Sequence, residues 1–185
     1  MSKEISDHFG SLKDTLETLN QESIDSFAIS LTAFLRSGST LFVGGNGGSQ
    51  SIAEHICTDW TKGIFEKVNV RLRILSLNSI TPLLTAISND LGYENSLSLN
   101  FQILSSDDDA IFLISSSGRS PNILRAAEMA RNSSKKVFAF SGFGSSELCQ
   151  LADEYITIDS DNYQVIEDIH AILGHAIFKH LLSNI

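Results

Sequence analysis

The sequence predicts an α/β fold, a three-layer sandwich with a central parallel sheet of about five strands, preceded by an N-terminal helical pair. Short apolar runs of strand length alternate with segments of helical periodicity, the order that produces a parallel sheet covered on both faces. Those runs are apolar along their length, as strands buried on two sides are. No low-complexity tract, proline-rich linker or repeat divides the 185 residues, which contain only two prolines, Pro82 and Pro121. One domain over residues 1–185 is therefore expected.

Ile5, Phe9, Leu12, Leu16 and Leu19 recur at alternating steps of four and three, one stripe of a helix, and Ile24, Phe27, Leu31 and Leu35 begin a second stripe. These two helices fill residues 1–36. The first stripe has the spacing of a coiled-coil seam, which suits packing on another subunit as well as on the chain's own core. After Gly38, "TLFVGG" reads as the first strand, followed by strands at Val70 to Leu77, Ala110 to Ser117, Lys136 to Gly144 and Glu154 to Asp159. Helices fit between them at Ser49 to Trp60, around Thr81 to Ser88, around Glu94 to Leu104 and at Pro121 to Arg131. A last helix, Tyr163 to Leu182, carries Ile166, Ile169, Leu173, Ile177 and Leu181 on one stripe.

Thirteen basic against 22 acidic residues give a formal charge of -9, which argues against the broad basic surface that nucleic-acid binding requires. The N-terminus lacks the pattern of a secretory signal and no segment is apolar for long enough to cross a bilayer, so no membrane partner and a cytoplasmic location are expected. Cys57 and Cys149 form neither a CxxC pair nor a disulfide framework, in keeping with a reducing compartment.

Two loops carry anion-binding chemistry. "GGNGGS" follows the first strand and leads directly into a helix, offering backbone N–H groups and a positive helix end. It has no Walker Lys, and Gln50 stands where a third dinucleotide-binding glycine would be, so nucleotide binding is disfavoured. "SSSGRSPN" follows the third strand and brings Ser115, Ser116, Ser117 and Ser120, the last a natural N-cap before Pro121. Two such loops, both after strands, predict a phosphate or sugar-phosphate site at the carboxyl edge of the sheet.

His55 and Asp59 are four apart on a predicted helix and face one side, a spacing suited to two ligands of one metal ion or to an acid–base pair. The final helix places Glu167, His170, His175 and His180 in an otherwise apolar segment. At about 100° per residue, Glu167 shares a broad face with either His170 or His175, whereas the two histidines diverge. Spacing leaves both open. A His, Asp, Glu, His set suits zinc or another divalent transition ion.

In this order and spacing the residues resemble the sugar isomerase (SIS) domain family, and within it the sedoheptulose 7-phosphate isomerases, also called phosphoheptose isomerases. The resemblance covers essentially the whole chain. It rests on "GNGGS" with His55 nine residues after Asn46, on "SND" at 88–90, on "SSSGRSPN" against the family's Ser-Thr-Ser-Gly-x-Ser, and on His175 in the C-terminal helix. It implies an SIS-type sandwich and an aldose-ketose isomerase converting D-sedoheptulose 7-phosphate to D-glycero-D-manno-heptose 7-phosphate for lipopolysaccharide or capsule heptose biosynthesis. It implies that Asn46, Gly47, Gly48 and Ser49, then Asn89 and Asp90, then Ser115, Ser116, Ser117 and Ser120 hold the sugar phosphate. His55, Asp59, Glu167 and His175 match the family's ligands for one zinc ion per subunit, which selects His175 over His170. Asp59 and Glu167 also match substrate contacts, and Asp59 and His175 match the acid–base pair. A homotetramer, with sites between subunits and residues 1–36 used in oligomerisation, is implied as well.

Three departures stand out. Asp59 replaces the family's Glu and is one methylene shorter, Glu167 replaces its Gln and adds a negative charge, and Lys62-Gly63 replaces the usual "GR". The alternatives are a non-catalytic SIS protein of the type that binds the bacterial replication initiator, or an isomerase of another phosphosugar. Ligand-competent side chains at all four metal positions favour an enzyme.

Overall fold

A computed structural model describes residues 2–185. Five strands, β1 (Leu41–Gly45), β2 (Ile74–Ser76), β3 (Ala110–Ser115), β4 (Val137–Ser141) and β5 (Glu154–Thr157), form one sheet in the order β2-β1-β3-β4-β5. Every pairing is parallel. Helices α1 (Lys3–Glu17) and α2 (Gln21–Arg36) come first. They are followed by α3 (Gly47–Val68), α4 (Thr81–Leu91), a single 3-10 turn (Tyr93–Asn95), α5 (Ser96–Leu104), α6 (Pro121–Asn132), α7 (Glu147–Leu151) and α8 (Tyr163–Asn184).

Strands β1, β3 and β4 are buried at every position because both of their faces are covered. On one face Leu41, Val43, Phe112, Ile114, Phe138 and Phe140 meet α2, α3 and α8 through Phe27, Leu31, Ile56, Trp60, Ile169 and Leu173. On the other, Phe42, Ile111, Leu113 and Ala139 meet Leu97 and Phe101 of α5, Ile123 and Ala126 of α6, and Leu148 of α7. All five apolar residues expected on the stripe of α8 are buried.

Some boundaries differ from expectation. β2 spans three residues rather than eight because it is an edge strand that pairs only with β1, and Leu75 on its outer side is half exposed. α3 starts at Gly47 and runs past Trp60 to Val68, ending where Asn69 takes a left-handed conformation (φ 57°). α7, five residues capped by Ser146, is too short for periodicity to signal it. The stripe of α1 is divided: Leu12, Leu16 and Leu19 pack on the core, whereas Ile5 and Phe9 stay half exposed. His8 Nε2 meets Asp168 Oδ2 of α8 at 2.8 Å. Among the described residues no helix is long and apolar enough to cross a membrane. Burial pushes the Cys57 thiol up to about 12, with Glu54 adding to the shift, so it is a poor nucleophile.

The positioning of α3 against α8 depends on two glycines. A Cβ at Gly63 would lie 2.7 Å from the Phe178 ring, and one at Gly174 would lie 3.1 Å from Ile56. Between them the buried Trp60 donates its indole N–H to the Gly174 carbonyl at 3.0 Å. Gly63→Ala should therefore overpack this crossing and lower stability by about 1–3 kcal/mol, measured by urea denaturation; an unchanged midpoint would show that the helices need not be this close.

His170 belongs to the core. Its Nε2–H donates to the Ser141 carbonyl at 3.1 Å, the ring stacks on Phe140, and Nδ1 has no partner. Burial holds its pKa down at about 4. Below its unfolded value of 6.5 the unfolded chain binds a proton that the folded chain does not, so stability is full above that pH and falls as pH drops toward 4. The loss amounts to about 3 kcal/mol at about 1.36 kcal/mol per pH unit. His170→Gln keeps the donor without the titration; in metal-free buffer its stability should fall less than wild type between pH 6.5 and pH 4, and parallel curves would refute this role.

Candidate active site

The chain leaves β1 toward β2 on one side and β3 toward β4 on the other, so no crossover covers the crevice between the carboxyl ends of β1 and β3. Both loops flagged by the sequence open there. A Cβ on Gly45 would fall 2.8 Å from the Ser49 carbonyl carbon and 2.9 Å from the Ile114 oxygen. Only glycine lets α3 start this close to β3.

Asn46, Ser49, Ser115, Ser116, Ser117, Ser120, Tyr163 and Glu167 line a cleft of about 190 Å³ at this point. Its hydroxyls are short of acceptors. Ser115 Oγ accepts from the Gly118 N–H (3.1 Å) and Ser117 Oγ from the Arg119 N–H (3.3 Å), while the buried Ser116 Oγ has no partner at all. None of the three donates its own hydrogen within the chain, an arrangement that a bound oxyanion satisfies. Two helix starts face the same place: α3 begins at Asn46-Gly47 and α6 at Ser120-Pro121. Neither Asn46 nor Ser120 caps its helix with its side chain, so the positive ends of both helices remain open to an anion.

A second cluster lies where α3 crosses α8. His55 and Asp59, one turn apart on α3, meet His175 of α8 with ligand atoms all within 4.8 Å of one another. His55 Nε2 and His175 Nε2 are 2.9 Å apart, with the rings edge to face. Two imidazole nitrogens at about 2.0–2.1 Å from one tetrahedral ion lie about 3.3 Å apart, so the pair needs little adjustment to share a cation. Two nitrogens and one carboxylate suit a divalent transition ion and leave a position for substrate. Both histidines are solvent-accessible, which gives that ligand a path in.

Glu167 does not join this cluster. Its carboxylate lies against Gly48, where a Cβ would come within 2.5 Å of it, and it lines the serine cleft instead. It precedes His175 by about 12 Å of helix axis. Asn89 and Asp90 are exposed in the last turn of α4, with the Asn89 amide donating to the Asp90 carboxylate at 2.8 Å, and neither lines the cleft. Lys62 projects from the opposite stretch of α3 and pairs with Glu66 at 2.7 Å, so it supplies no charge to the serine cleft. His180 stays outside the metal-type cluster, and His170 is the core residue described above.

Sequence reasoning missed a layer of supporting residues. Asn46 and Asn122 exchange amide hydrogen bonds of 2.9 and 2.8 Å, and the Tyr93 hydroxyl donates to Asn46 Oδ1 at 2.7 Å. Gln50 Oε1 accepts from the Gly45 N–H and from Asn78, while its amide donates to Ser76 and Glu54. The position that denied the loop its third glycine thus ties β1 to β2. Asn122 in "SPN" was the one available hint.

The sequence matches the SIS domain family over residues 6–142. It is 32% identical to a phosphoheptose isomerase of Helicobacter pylori over 96% of this chain and 91% of that relative. It is 31% identical to one from Bradyrhizobium sp. over 92% of this chain and 85% of that relative. The solved structure of a phosphoheptose isomerase from Francisella tularensis superposes with a TM-score of 0.90 at 27% identity, covering 99% of this chain and 100% of the other. With the open crevice, the serine loop and the His-Asp-His cluster all in one chain, the protein belongs to the SIS-domain family and, within it, to the phosphoheptose isomerases.

Proposed function

We propose that the protein isomerises sedoheptulose 7-phosphate to the corresponding aldose, D-glycero-D-manno-heptose 7-phosphate, feeding heptose synthesis for surface polysaccharide in the cytoplasm. The observation that carries this reading is the convergence of His55, Asp59 and His175 beside a cleft of donors with nothing to donate to. Along α3, Ser49 and His55 are separated by about 9 Å of axis, a span that an extended seven-carbon phosphate ester fills.

The phosphate is held by the Ser115, Ser116 and Ser117 hydroxyls, by Ser120, and by the backbone N–H groups that open α3. That anchorage sets the sugar's far end against the His-Asp-His cluster. His55, Asp59 and His175 would hold a zinc ion, which when bound would supply Lewis acidity at the sugar's carbonyl end. Of Asp59 and His175, one takes the proton from the carbon next to the carbonyl, giving an enediol, and the other assists proton return at the neighbouring carbon. Glu167, at the lip of the serine cleft, accepts from sugar hydroxyls and is the chain's further candidate ligand.

Zinc-loaded protein should convert sedoheptulose 7-phosphate to the aldose, followed by NMR, and a chelator should stop it. His175→Ala should lower turnover about 10³-fold while inorganic phosphate binds within about twofold of wild type. Undiminished turnover in that variant would remove the mechanism. No turnover in wild type, with a protein partner co-purifying, would favour the non-catalytic alternative.

A homotetramer is part of the same reading. It is supported by apolar side chains left half exposed, Ile5 and Phe9 on α1 and Phe65, Val68, Leu75 and Ile80 beside the β2 edge. An assembly also gives Asn89 and Asp90, outside their own cleft, a neighbouring subunit's cleft to serve. Light scattering on the eluting peak should return the mass of four chains, and Phe9→Glu should lower it; a monomer at micromolar concentration would refute the assembly.

A further inference from the structure

Seven α-helices begin after a residue whose side chain can cap: Ser2, Asn20, Asn46, Asn95, Ser120, Ser146 and Asn162. Four of these accept from their helix's first-turn N–H groups; Asn95 is itself helical, closing the 3-10 turn that runs into α5 with its side chain tied to Arg125 and the Leu91 carbonyl, and the other two without a cap bond are Asn46 and Ser120. These two border the serine cleft. For Asn46 the cause is visible. Its Oδ1, the atom that would cap, is occupied by the Tyr93 hydroxyl at 2.7 Å and the Asn122 amide at 2.8 Å, while its Nδ2 donates to Asn122 Oδ1 at 2.9 Å. Asn122 is 2% exposed and its amide is further tied to Ser96 Oγ. The reciprocal pair fixes which way the Asn46 amide faces, because reversing it would set donor against donor. The first intrahelical bond of α3 runs from the Gln50 N–H to the Asn46 carbonyl, so the N–H groups of Gly47, Gly48 and Ser49 precede the ladder and face no capping oxygen. The unpartnered, buried Ser116 hydroxyl in the same cleft marks independently that a ligand oxygen is wanted there.

We propose that Asn122, assisted by Tyr93, is a positioning residue that holds the Asn46 side chain away from the start of α3, keeping those N–H groups free for the phosphate of the substrate. Without this hold, Asn46 turns back and caps its own helix, as Asn20 and Asn162 do, and the cap competes with the anion. Asn122 touches neither the sugar nor the reacting carbons and acts through Asn46 alone. The inference rests on the sugar-phosphate reading of the cleft, but its test uses the anion rather than the reaction.

The test is a double-mutant cycle read by the dissociation constant of inorganic phosphate, measured by calorimetry on the zinc-loaded protein. Asn122→Leu should weaken phosphate about tenfold in the wild-type background and less than twofold in an Asn46→Ala background, where no side chain is left to cap. Tyr93→Phe removes one hydroxyl from a half-exposed ring and leaves the core intact, so it keeps the test valid if Asn122→Leu does not fold. It should weaken phosphate about threefold, again only when Asn46 is present. With sedoheptulose 7-phosphate as substrate, each variant should raise KM by about the factor it costs phosphate and leave kcat within twofold. Equal losses in the two backgrounds would assign Asn122 a merely structural role and overturn the proposal, as would unchanged phosphate binding in Tyr93→Phe and Asn122→Leu. A wild type that binds phosphate yet does not isomerise the ketose defeats the isomerase reading while the cycle still decides the role of Asn122.

Discussion

The near contact of α3 and α8 is the constraint on which the His-Asp-His cluster depends. His55 and Asp59 lie on one helix and His175 on another, 116 residues after Asp59 in the chain, and their ligand atoms meet within 4.8 Å because the two axes are pressed together. Three interactions enforce this: Trp60, fully buried, donates to the Gly174 carbonyl, Ile56 fits over Gly174, and Phe178 lies on Gly63. Burial of the indole stabilises the crossing by a few kcal/mol at roughly 25 cal/mol per Å². Any side chain that widens the crossing therefore also draws His175 away from His55 and Asp59. The exposed cluster sits on one of the best-packed parts of the fold, as a site requiring sub-ångström precision needs.

A protein of formal charge -9 that binds a phosphodianion poses an apparent contradiction. Range resolves it. At physiological salt the Debye length is about 8 Å, so carboxylates scattered over the surface act weakly at the cleft. The N–H and O–H donors there act within hydrogen-bonding distance, where screening is negligible and the helix ends add their partial charge. Among the described residues no Lys or Arg lines the cleft, so on the proposed reading affinity comes from neutral donors held in place. Glu167 is the local exception, a carboxylate against Gly48 at the positive end of α3. It is stabilised by the same helix end that an anion in the cleft would use.

Much of this was legible in the sequence, for identifiable reasons. The stripe on α8 and the apolar runs of β1, β3 and β4 announced themselves because burial on one helix face or both sheet faces imposes a pattern on composition. The serine loop and the glycine turn were visible because backbone exposure to a ligand demands small residues. What lay between distant segments was not visible. Periodicity left His170 and His175 open, although one stacks on Phe140 in the core and the other meets His55, because the distinction depends on which neighbour each side chain finds. Tyr93 and Asn122 escaped notice for the same reason: their meaning lies in Asn46, 47 and 76 residues away. Nor could spacing indicate that Glu167 rests at Gly48, since an eight-residue step along α8 fixes a face and not a rotamer.

Two of the departures from the usual pattern belong together once the crossing is considered. Asp59 is one methylene shorter than the Glu the family uses, which by itself would withdraw the carboxylate from the cluster. Gly63 stands one turn further along α3, on the same face, and a Cβ placed there would be 2.7 Å from the Phe178 ring and 3.9 Å from Asp59 Oδ1. A long side chain at 63 would push Phe178, and α8 with it, away from α3. With glycine there Phe178 packs directly on α3, and Asp59 shares one cluster of ligand atoms with His55 and His175. By this reasoning, lengthening residue 59 to Glu in this chain, without reopening the crossing at 63, overfills the ligand cluster rather than restoring the family's geometry.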